Sequence, residues 1–377
     1  MKKTLISVLV LLLSVILLCS CSYELKADGF ELLGEINWEN ANDFSEGFAA
    51  VKRAGKWGFI NSDGELVIDC IYDSVGAFSE GMCAVQTGYA WDYIDTDGNI
   101  VIDGDFEAAN KFSEGRASVM LNYKYCIIDT EGNKLCNPTF DIIRPFSEGL
   151  AVVELDNWFG YIKADGTLLG DLTYGGASDF SDGLAEVFTD YLSGFIGTDG
   201  NYVIEEKFDD GSSFSEGLCA AEKDGSWGFI GKDGEFVIEP KWSEAGDVKN
   251  GFSVVSNGSK YGYINADGEE ITELKYHNAY DFSDGLARIR TMGTAYAAFG
   301  FIDESGEYVI EPTYLSARDF SEGYAAVQLT NELWGYIAKD GTPVIDFDFD
   351  EAYAFNEGVA RVKIGEKYGF IKINTEG

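Results

Sequence analysis

Acidic side chains are the residues of this sequence with the clearest chemical potential. A glutamate recurs at regular spacing in the tetrapeptide Phe-Ser-Glu-Gly, at Glu46, Glu80, Glu114, Glu148, Glu216 and Glu322. Two carboxylates in one cleft can hydrolyse a glycosidic bond, one as the acid and the other as the nucleophile or base. An equivalent carboxylate in every copy would mean many equivalent active sites, so we interpret these side chains as turn residues or as solvated corners.

Other catalytic and metal-binding groups are scarce. His277 is the single histidine, which excludes a metal site with two histidines from this chain, and no serine-histidine-aspartate signature surrounds it. Asp95-Thr96-Asp97-Gly98 is similar to a calcium loop, but Tyr93 replaces the first ligand and Gly104 replaces the bidentate glutamate. We predict a hairpin turn there, and we predict no metal site, no cofactor, no catalytic residue and no enzyme activity.

The charge balance limits the possible partners. Lys plus Arg number 27 against 65 Asp plus Glu, a net charge of -38. Such a surface repels phosphate groups, which argues against nucleic acid and anionic lipid headgroups as partners. Because 46% of the residues are hydrophobic and 14% aromatic, the chain has enough apolar surface for a folded core. A structural spacer whose acidic coat binds divalent cations weakly is one alternative function.

The N-terminus is typical of a bacterial lipoprotein precursor. Lys2 and Lys3 precede an apolar run from residue 5 to 18, which matches a signal peptide and is short for a membrane span. Leu18-Cys19-Ser20-Cys21 resembles a lipobox, which implies cleavage after Ser20 and lipid on the sulfur of Cys21. We therefore predict a signal peptide at 1–20, a lipidated tether at 21–27, and an extracytoplasmic protein held on a membrane of the bacterial envelope.

The remaining cysteines are interpreted as core residues. Cys70, Cys83, Cys126, Cys136 and Cys219 cannot all pair with one another, and no C-x-x-C motif occurs among them. Cys83 and Cys219 take the place of alanines in other copies of the repeat, which is typical of small buried side chains.

A period of 34 residues organises the chain from residue 28 to 377. The tetrapeptide Phe-Ser-Glu-Gly is copied along it, with Asp182, Asp284 and Asn356 as variants and a degenerate copy at 248–251. A fixed period in this range indicates tandem structural repeats. The phenylalanines and glycines that we assign to structural positions are Phe44, Gly47, Phe78, Gly81, Phe112, Gly115, Phe146, Gly149, Phe180, Gly183, Phe214, Gly217, Phe282, Gly285, Phe320, Gly323, Phe355 and Gly358.

Each copy reads as a three-stranded antiparallel meander. In the first copy, 48–52, 57–61 and 66–68 are short runs of apolar and β-branched residues separated by tight turns, and no helical period is present. An aromatic ring followed by glycine opens the second strand, and we assign both residues to the core between units. The clearest cases are Trp57, Gly58, Trp91, Trp227, Gly228, Trp334 and Gly335; Ser193 replaces the ring in one unit.

The ends of the repeat region are complementary. Residues 28–33 and Trp38 match the end of a unit, and the chain stops where the last unit would need its third strand. We expect an all-β array of about ten units forming an open, curved superhelix, because ten units exceed the 4 to 8 blades usual in propellers. A closed, propeller-like ring latched by the N-terminal strand is the alternative.

The unit resembles the WG repeat, also called the KWG repeat, of bacterial proteins. The residues that carry the resemblance are Lys56-Trp57-Gly58-Phe59-Ile60, Asp63-Gly64, Val67-Ile68 and Phe-Ser-Glu-Gly. The resemblance implies a secreted, surface or effector-like protein and supplies no catalytic residues.

Departures from the repeat are where we place a candidate binding surface. Trp158 occupies a turn position that holds lysine in other units, and Tyr296 lies in a loop lengthened by four residues. The favoured function is a non-catalytic, lipid-anchored protein that binds a protein or glycan partner. A carbohydrate-binding or carbohydrate-active protein that uses aromatic rows and a carboxylate pair is the second alternative. The oligomeric state stays open.

Overall fold

The computed structural model describes Tyr23 and residues 25–189, 191–292 and 297–374. Cys21 and Tyr296 lie outside the described residues. Every regular element of the described part is a β-strand, and no helix there is long and apolar enough to span a bilayer.

The strands form ten small antiparallel sheets, one per unit. A first strand, β1, lies at Phe30–Leu32. Unit 1 contains β2 (Asn40–Ala41), β3 (Phe48–Arg53), β4 (Lys56–Asn61) and β5 (Leu66–Tyr72); unit 2 contains β6 (Ser74–Val75), β7 (Met82–Thr87), β8 (Ala90–Asp95) and β9 (Ile100–Phe106); unit 3 contains β10 (Ala108–Ala109), β11 (Arg116–Leu121) and β12 (Lys124–Asp129). Unit 4 contains β13 (Ile142–Ile143), β14 (Leu150–Leu155) and β15 (Trp158–Lys163); unit 5 contains β16 (Gly176–Ala177), β17 (Leu184–Phe188), β18 (Ser193–Gly197) and β19 (Tyr202–Phe208).

The second half of the chain repeats the same order. Unit 6 contains β20 (Asp210–Gly211), β21 (Cys219–Lys223), β22 (Ser226–Ile230) and β23 (Phe236–Trp242); unit 7 contains β24 (Glu244–Ala245), β25 (Phe252–Ser256) and β26 (Tyr261–Asn265); unit 8 contains β27 (Asn278–Ser283), β28 (Leu286–Met292), β29 (Ala297–Asp303) and β30 (Tyr308–Tyr314). Unit 9 contains β31 (Ser316–Ala317), β32 (Tyr324–Gln328), β33 (Trp334–Ala338) and β34 (Pro343–Phe349); unit 10 contains β35 (Glu351–Ala352), β36 (Val359–Ile364) and β37 (Lys367–Ile373).

The predicted all-β repeat array is confirmed, with two differences inside the unit. The connection before each Phe-Ser-Glu-Gly corner contributes a short strand of its own, such as β6, so most sheets have four strands where three were expected. In units 3, 4 and 7 the last strand of the meander is reduced to isolated bridges, such as Tyr125 with Phe140. The short strand pairs because the corner folds it back directly onto the next strand.

The corner is a two-residue turn with positive φ at both central positions. In unit 1, Glu46 has φ 53° and Gly47 has φ 80°, and the Ser45 and Phe48 backbones exchange hydrogen bonds of 2.9 and 3.1 Å. This is the geometry of a type I′ turn, which matches the right-handed twist of paired strands. Glycine suits the second position because it has no Cβ to clash there.

Each hydrophobic core lies between two neighbouring units. Phe59 and Ile68 of unit 1 pack with Phe78 and Ile94 of unit 2, and the Phe59 and Phe78 rings meet edge to face at 5.0 Å. The central strands β3 and β4 are buried on both faces, because a unit stands on each side of them. A unit by itself would therefore leave both faces of its sheet in water.

The glycine after the aromatic ring provides room for the last strand of the same sheet. A Cβ on Gly58 would lie 2.4 Å from the carbonyl oxygen of Ile68, and the strand register shifts at this point. A bulge thus brings the backbone of β5 directly onto Gly58, where any side chain would clash.

The array is closed into a ring by its two ends. β1 pairs with β37, with Phe30 opposite Ile373, so the N-terminal strand completes the sheet of unit 10. Leu33 and Trp38 share a core with Phe44 of unit 1 and Phe370 of unit 10. The closed alternative is therefore the form that the structure has, and the preference for an open superhelix is corrected. The number of units did not predict closure. The ring of ten closes because β1 pairs with β37 and because units 1 and 10 share a hydrophobic core.

Candidate binding site

Among the described residues, the most exposed aromatic side chains lie at the second turn, the loop between the two central strands, of four consecutive units. Tyr89 of unit 2 is 96% exposed, Tyr123 of unit 3 is 83%, Trp158 of unit 4 is 51% and Tyr191 of unit 5 is 92%. Each follows or lies within the loop that joins the two central strands of its sheet. We call these four residues the aromatic row.

Carboxylates fix the turns that carry the first three members. The Glu107 side chain accepts hydrogen bonds from the Asn122 and Tyr123 amides at 3.0 and 2.8 Å. Asp73 accepts one from the Gly88 amide at 2.9 Å, and Asp141 accepts one from the Asp156 amide at 3.0 Å. In units 2 to 4, one or two turn amides are thus bound by a side chain from the start of the same unit, which orders the loop before any partner arrives.

We call the side chains that bind these turn amides the carboxylate caps. Lysines of the preceding units form ion pairs with two of them. Lys56 forms an ion pair with Asp73, and Lys124 forms one with Asp141. Hydrogen bonding to the lysine, together with the turn amide, lowers the pKa of both aspartates below the usual range. The caps therefore keep their charge at neutral pH. In unit 5, Gly175 stands at the position of Asp141, so that position supplies no carboxylate to the turn before Tyr191.

Sequence reasoning selected Trp158 but did not select Tyr89, Tyr123 or Tyr191. The structure places Trp158 at the exposed start of β15, opposite Leu155. Tyr89 and Tyr123 are 34 residues apart, and Tyr191 lies two periods beyond Tyr123. Aligning the second turns of the copies would have revealed the three tyrosines at one position, where other units have Gly55, Asn157 and Gly225, with Trp158 one residue further along.

The corner carboxylates bind backbone amides of the next unit. The side chain of Glu46 accepts hydrogen bonds from the Glu80 and Gly81 amides at 2.7 and 2.8 Å. Ser45 donates to the carbonyl of Phe78 at 2.9 Å in the same step between units. These contacts recur around the ring, so the Phe-Ser-Glu-Gly side chains form links between units rather than a pair of catalytic acids.

The other sites considered in the sequence have structural surroundings. Asp95 accepts the amides of Asp97 and Asn99 at 3.0 and 2.8 Å, which is the geometry of an Asp-Gly hairpin. His277 is exposed, and its amide donates to the Arg290 carbonyl. Within the described residues, no group of three acidic, cysteine or histidine side chains is placed to hold a metal ion. The five described cysteines are free thiols, with Cys83, Cys126 and Cys219 buried.

A large open cavity of about 710 Å³ borders units 8, 9, 10 and 1. Its charged groups are mostly paired: Arg288 forms an ion pair with Asp319 at 2.8 Å, and Arg361 forms one with Asp43 at 3.0 Å. The Arg318 guanidinium lies 4.4 Å from the centre of the Tyr353 ring. Because Arg361 and Asp43 belong to the last and first units, part of this cluster stabilises ring closure.

The repeat family described as "WG containing repeat" matches this chain nine times. The matched residues are 35–57, 57–91, 93–125, 127–157, 194–227, 227–261, 261–293, 299–332 and 334–368. The chain belongs to the WG repeat family. The matches leave out residues 158–193, which contain Trp158, Tyr191 and Ser193.

Comparison with solved structures finds distant likenesses, and comparison with curated proteins finds no match. The computationally designed Ika8 protein has a TM-score of 0.38 at 14% identity, over 72% of this chain and 94% of the designed one. BamB from Moraxella catarrhalis has a TM-score of 0.36 at 10% identity, over 92% of this chain and 99% of BamB. PorZ, a bacterial surface component of the type-IX secretion system of Porphyromonas gingivalis, has 0.29 at 11%, over 91% of this chain and 58% of PorZ.

The WG repeat of unit 5 departs most clearly from the pattern. Ser193 stands where the other nine units have Trp, Tyr or Phe, and a cavity of about 270 Å³ opens beside it. Ser193 is 2% exposed, and its hydroxyl has no hydrogen-bond partner in the described structure. Burial raises the pKa of the neighbouring Glu186 carboxyl to about 7.

Proposed function

We propose that this WG repeat protein is a non-catalytic binding protein of the bacterial cell envelope, tethered through lipid on Cys21. The observation that carries the proposal is the aromatic row on four neighbouring units. Aromatic side chains this exposed are unfavourable in water, so their recurrence at the same loop of four neighbouring units indicates a surface for a partner.

The partner proposed is an extended, uncharged glycan. Tyrosine and tryptophan offer flat apolar faces with a polar tip, which suits the apolar face and hydroxyl rim of a sugar ring. The row places one such residue per unit, so a polymer could contact several units at once and gain affinity through multivalency. The net charge of -38 disfavours anionic polymers.

The carboxylate caps support the same function. Because Glu107 and Asp73 already hold the turn amides, the Tyr123 and Tyr89 loops lose little conformational entropy on binding. The absence of a catalytic set in the sequence agrees with binding without turnover.

The test is binding of neutral soluble polysaccharides to the purified chain starting at Tyr23, measured by affinity electrophoresis and by Trp fluorescence. Replacing Tyr89, Tyr123, Trp158 and Tyr191 together by Ala should reduce affinity at least tenfold. The matched control is Val237→Ala, which removes a side chain 61% exposed outside the row and should leave affinity unchanged.

Two results would reject the proposal. Binding that survives loss of the whole row would place the site elsewhere. A lack of binding to every neutral polysaccharide, combined with saturable binding of a purified protein through the row, would make the partner a protein.

A further inference from the structure

Arginine side chains bridge three successive steps of the ring, from unit 8 to unit 9, from unit 9 to unit 10 and from unit 10 to unit 1. In each step the guanidinium group donates to the carbonyl of the residue three positions before the corner phenylalanine of the following unit. The contacts join Arg288 to Ala317, Arg318 to Ala352 and Arg361 to Ala41. The three guanidinium groups therefore occupy equivalent places in the repeat.

Arg318 differs from the other arginines in this place because it lacks a carboxylate partner. Each of the others also pairs with an aspartate that stands directly before the corner phenylalanine of the following unit. The ion pairs are Arg288 with Asp319 at 2.8 Å, Arg361 with Asp43 at 3.0 Å and, in unit 4, Arg144 with Asp179 at 3.8 Å. Unit 10 has Ala354 at that position, and Arg318 forms no ion pair with a carboxylate of the described residues.

The open cavity of about 710 Å³ gives a ligand access to this arginine. Arg318 and Ala354 both line it, and both are partly exposed. The Nε atom of Arg318 is bound to the Ala352 carbonyl at 2.6 Å, whereas its two terminal nitrogens have no hydrogen-bond partner among the described residues. A carboxylate matches such paired N–H donors in geometry and in charge. The volume lies within the range of roughly 300 to 1,000 Å³ usual for small-molecule sites.

Two serine hydroxyls give the lining hydrogen-bond acceptors. Ser283 donates to the Phe320 carbonyl at 2.7 Å, and Ser321 donates to the Phe355 carbonyl at 2.7 Å. Both serines line the cavity. Because a hydroxyl has a single proton, the lone pairs that remain on these two oxygens accept and do not donate. Hydroxyl groups of a ligand are therefore the matching donors.

Two aromatic rings lie beside Arg318. Its guanidinium carbon is 4.4 Å from the centre of the Tyr353 ring and 5.4 Å from that of a Trp334 ring, and both side chains line the cavity and are half-buried. The Arg361 guanidinium lies 3.7 Å from the centre of the same tyrosine ring. A ligand held at Arg318 thus lies next to apolar ring surface, which suits the apolar face of a sugar ring.

We propose that this cavity binds a small sugar acid, a hydroxylated ring that carries one carboxylate. The carboxylate pairs with Arg318 and takes the place that Asp319 and Asp43 hold in the neighbouring steps, and the hydroxyls donate to Ser283 and Ser321. A single negative charge is favoured because one guanidinium lacks a partner and the net charge of -38 repels more highly charged anions. The site shares no residue with the aromatic row and does not depend on the function proposed above.

The experiment is calorimetric titration of the chain starting at Tyr23 with D-glucuronate and D-galacturonate. Glucose is the probe without the carboxylate, acetate is the probe without the ring, and inorganic phosphate is an anion of different geometry. At least one of the two sugar acids should bind saturably, and the three other probes should bind at least tenfold more weakly. A lack of saturable binding by both sugar acids would overturn the proposal, as would equal affinity for phosphate or for glucose.

Restoring the missing carboxylate is the decisive variant. Ala354→Asp places an aspartate where the neighbouring units have one, so it should pair with Arg318, raise the melting temperature and weaken the sugar acid at least tenfold. The matched control Ala354→Ser adds a side chain without charge and should retain binding within threefold. Sugar-acid binding that is equal in the wild type and in Ala354→Asp would contradict the site.

Removing the guanidinium tests the same contact from the other side. Arg318→Gln should weaken the sugar acid at least tenfold. Its control is Arg144→Gln, which removes the arginine at the equivalent position of unit 4, where it donates to the Ala177 carbonyl outside the cavity, and should retain binding within twofold. An equal loss in both variants would indicate a general effect of charge and would reject the role of Arg318.

The variant that lacks all four aromatic residues of the row separates the two sites. It should bind the sugar acid as the wild type does, whatever its affinity for neutral polysaccharides. Loss of sugar-acid binding in this variant would place the ligand on the aromatic row and not in the cavity.

Discussion

The carboxylate of Glu357 in the last unit accepts hydrogen bonds of 2.8 Å from the amides of Glu46 and Gly47 in the first unit. In eight other corners the carboxylate likewise accepts the glycine amide of the following corner, and in three of these it also accepts the preceding amide, so a circle of carboxylate-to-amide links runs around the ring. The circle is interrupted at Asn250, which has no carboxylate. Its side-chain amide donates to the Phe282 carbonyl instead, at 2.9 Å.

Restoring the repeat sequence at this gap should stabilise the protein. In the double variant Lys249→Ser and Asn250→Glu, the new carboxylate can bind the Asp284 and Gly285 amides, and the new hydroxyl can bind Phe282. The exposed ion pair of Lys249 with Asp281 is lost, but such pairs contribute little. We expect a gain of about 1 kcal/mol in the free energy of unfolding, measured by urea denaturation. Asn250→Glu without the serine should gain less, and a destabilised double variant would contradict the link.

Removing the latch strand should open the ring. A variant that starts at Gly34 lacks β1 and the hydrogen bond from the Leu33 amide to the Phe370 carbonyl, which leaves the edge of β37 unpaired except at the bridge between Trp38 and Tyr368. We expect a lower melting temperature and a larger radius of gyration in small-angle scattering. The control starts at Tyr23 and keeps β1. Identical scattering profiles for the two variants would mean that β1 does not hold the ring closed.

Burial of Glu186 should make stability depend on pH. Desolvation raises its pKa in the folded protein to about 7, above a usual value of 4.5, so the folded state binds the proton more tightly than the unfolded state does. Stability should therefore fall as pH rises from about 4.5 to 7, by up to about 3 kcal/mol from this group. Glu186→Gln should remove that part of the dependence. The exposed Glu205→Gln is the control, and an unchanged profile for Glu186→Gln would show that the carboxyl is solvated.

Loss of a corner ring should be costly. Phe112 is 1% exposed and meets the Tyr93 ring of the preceding unit at 5.0 Å. Phe112→Ala should lower the free energy of unfolding by about 3 to 5 kcal/mol, because the cavity lies between two units that cannot collapse onto each other. Tyr123→Ala, in the exposed turn of the same unit, should change it by less than about 0.5 kcal/mol. A change near zero for Phe112→Ala would mean that the ring is not part of the core.

The sequence alone determined the unit, its period and its strand order. Phe44 and Gly47 recur in the copies because each corner needs a buried aromatic side chain and a residue that tolerates positive φ. Both requirements are local, so residue type and spacing reveal them. The carboxylates of Glu46 and its copies were also recognised as turn residues, although their partners in the next unit were not.

Tertiary structure decided closure and the candidate sites. Whether β1 meets β37 depends on a small rotation accumulated over ten units, which no single repeat encodes. The aromatic row exists because equivalent turns of neighbouring units face solvent together. A substitution of ring by serine is visible in the sequence, but only packing decides whether the space it leaves is filled.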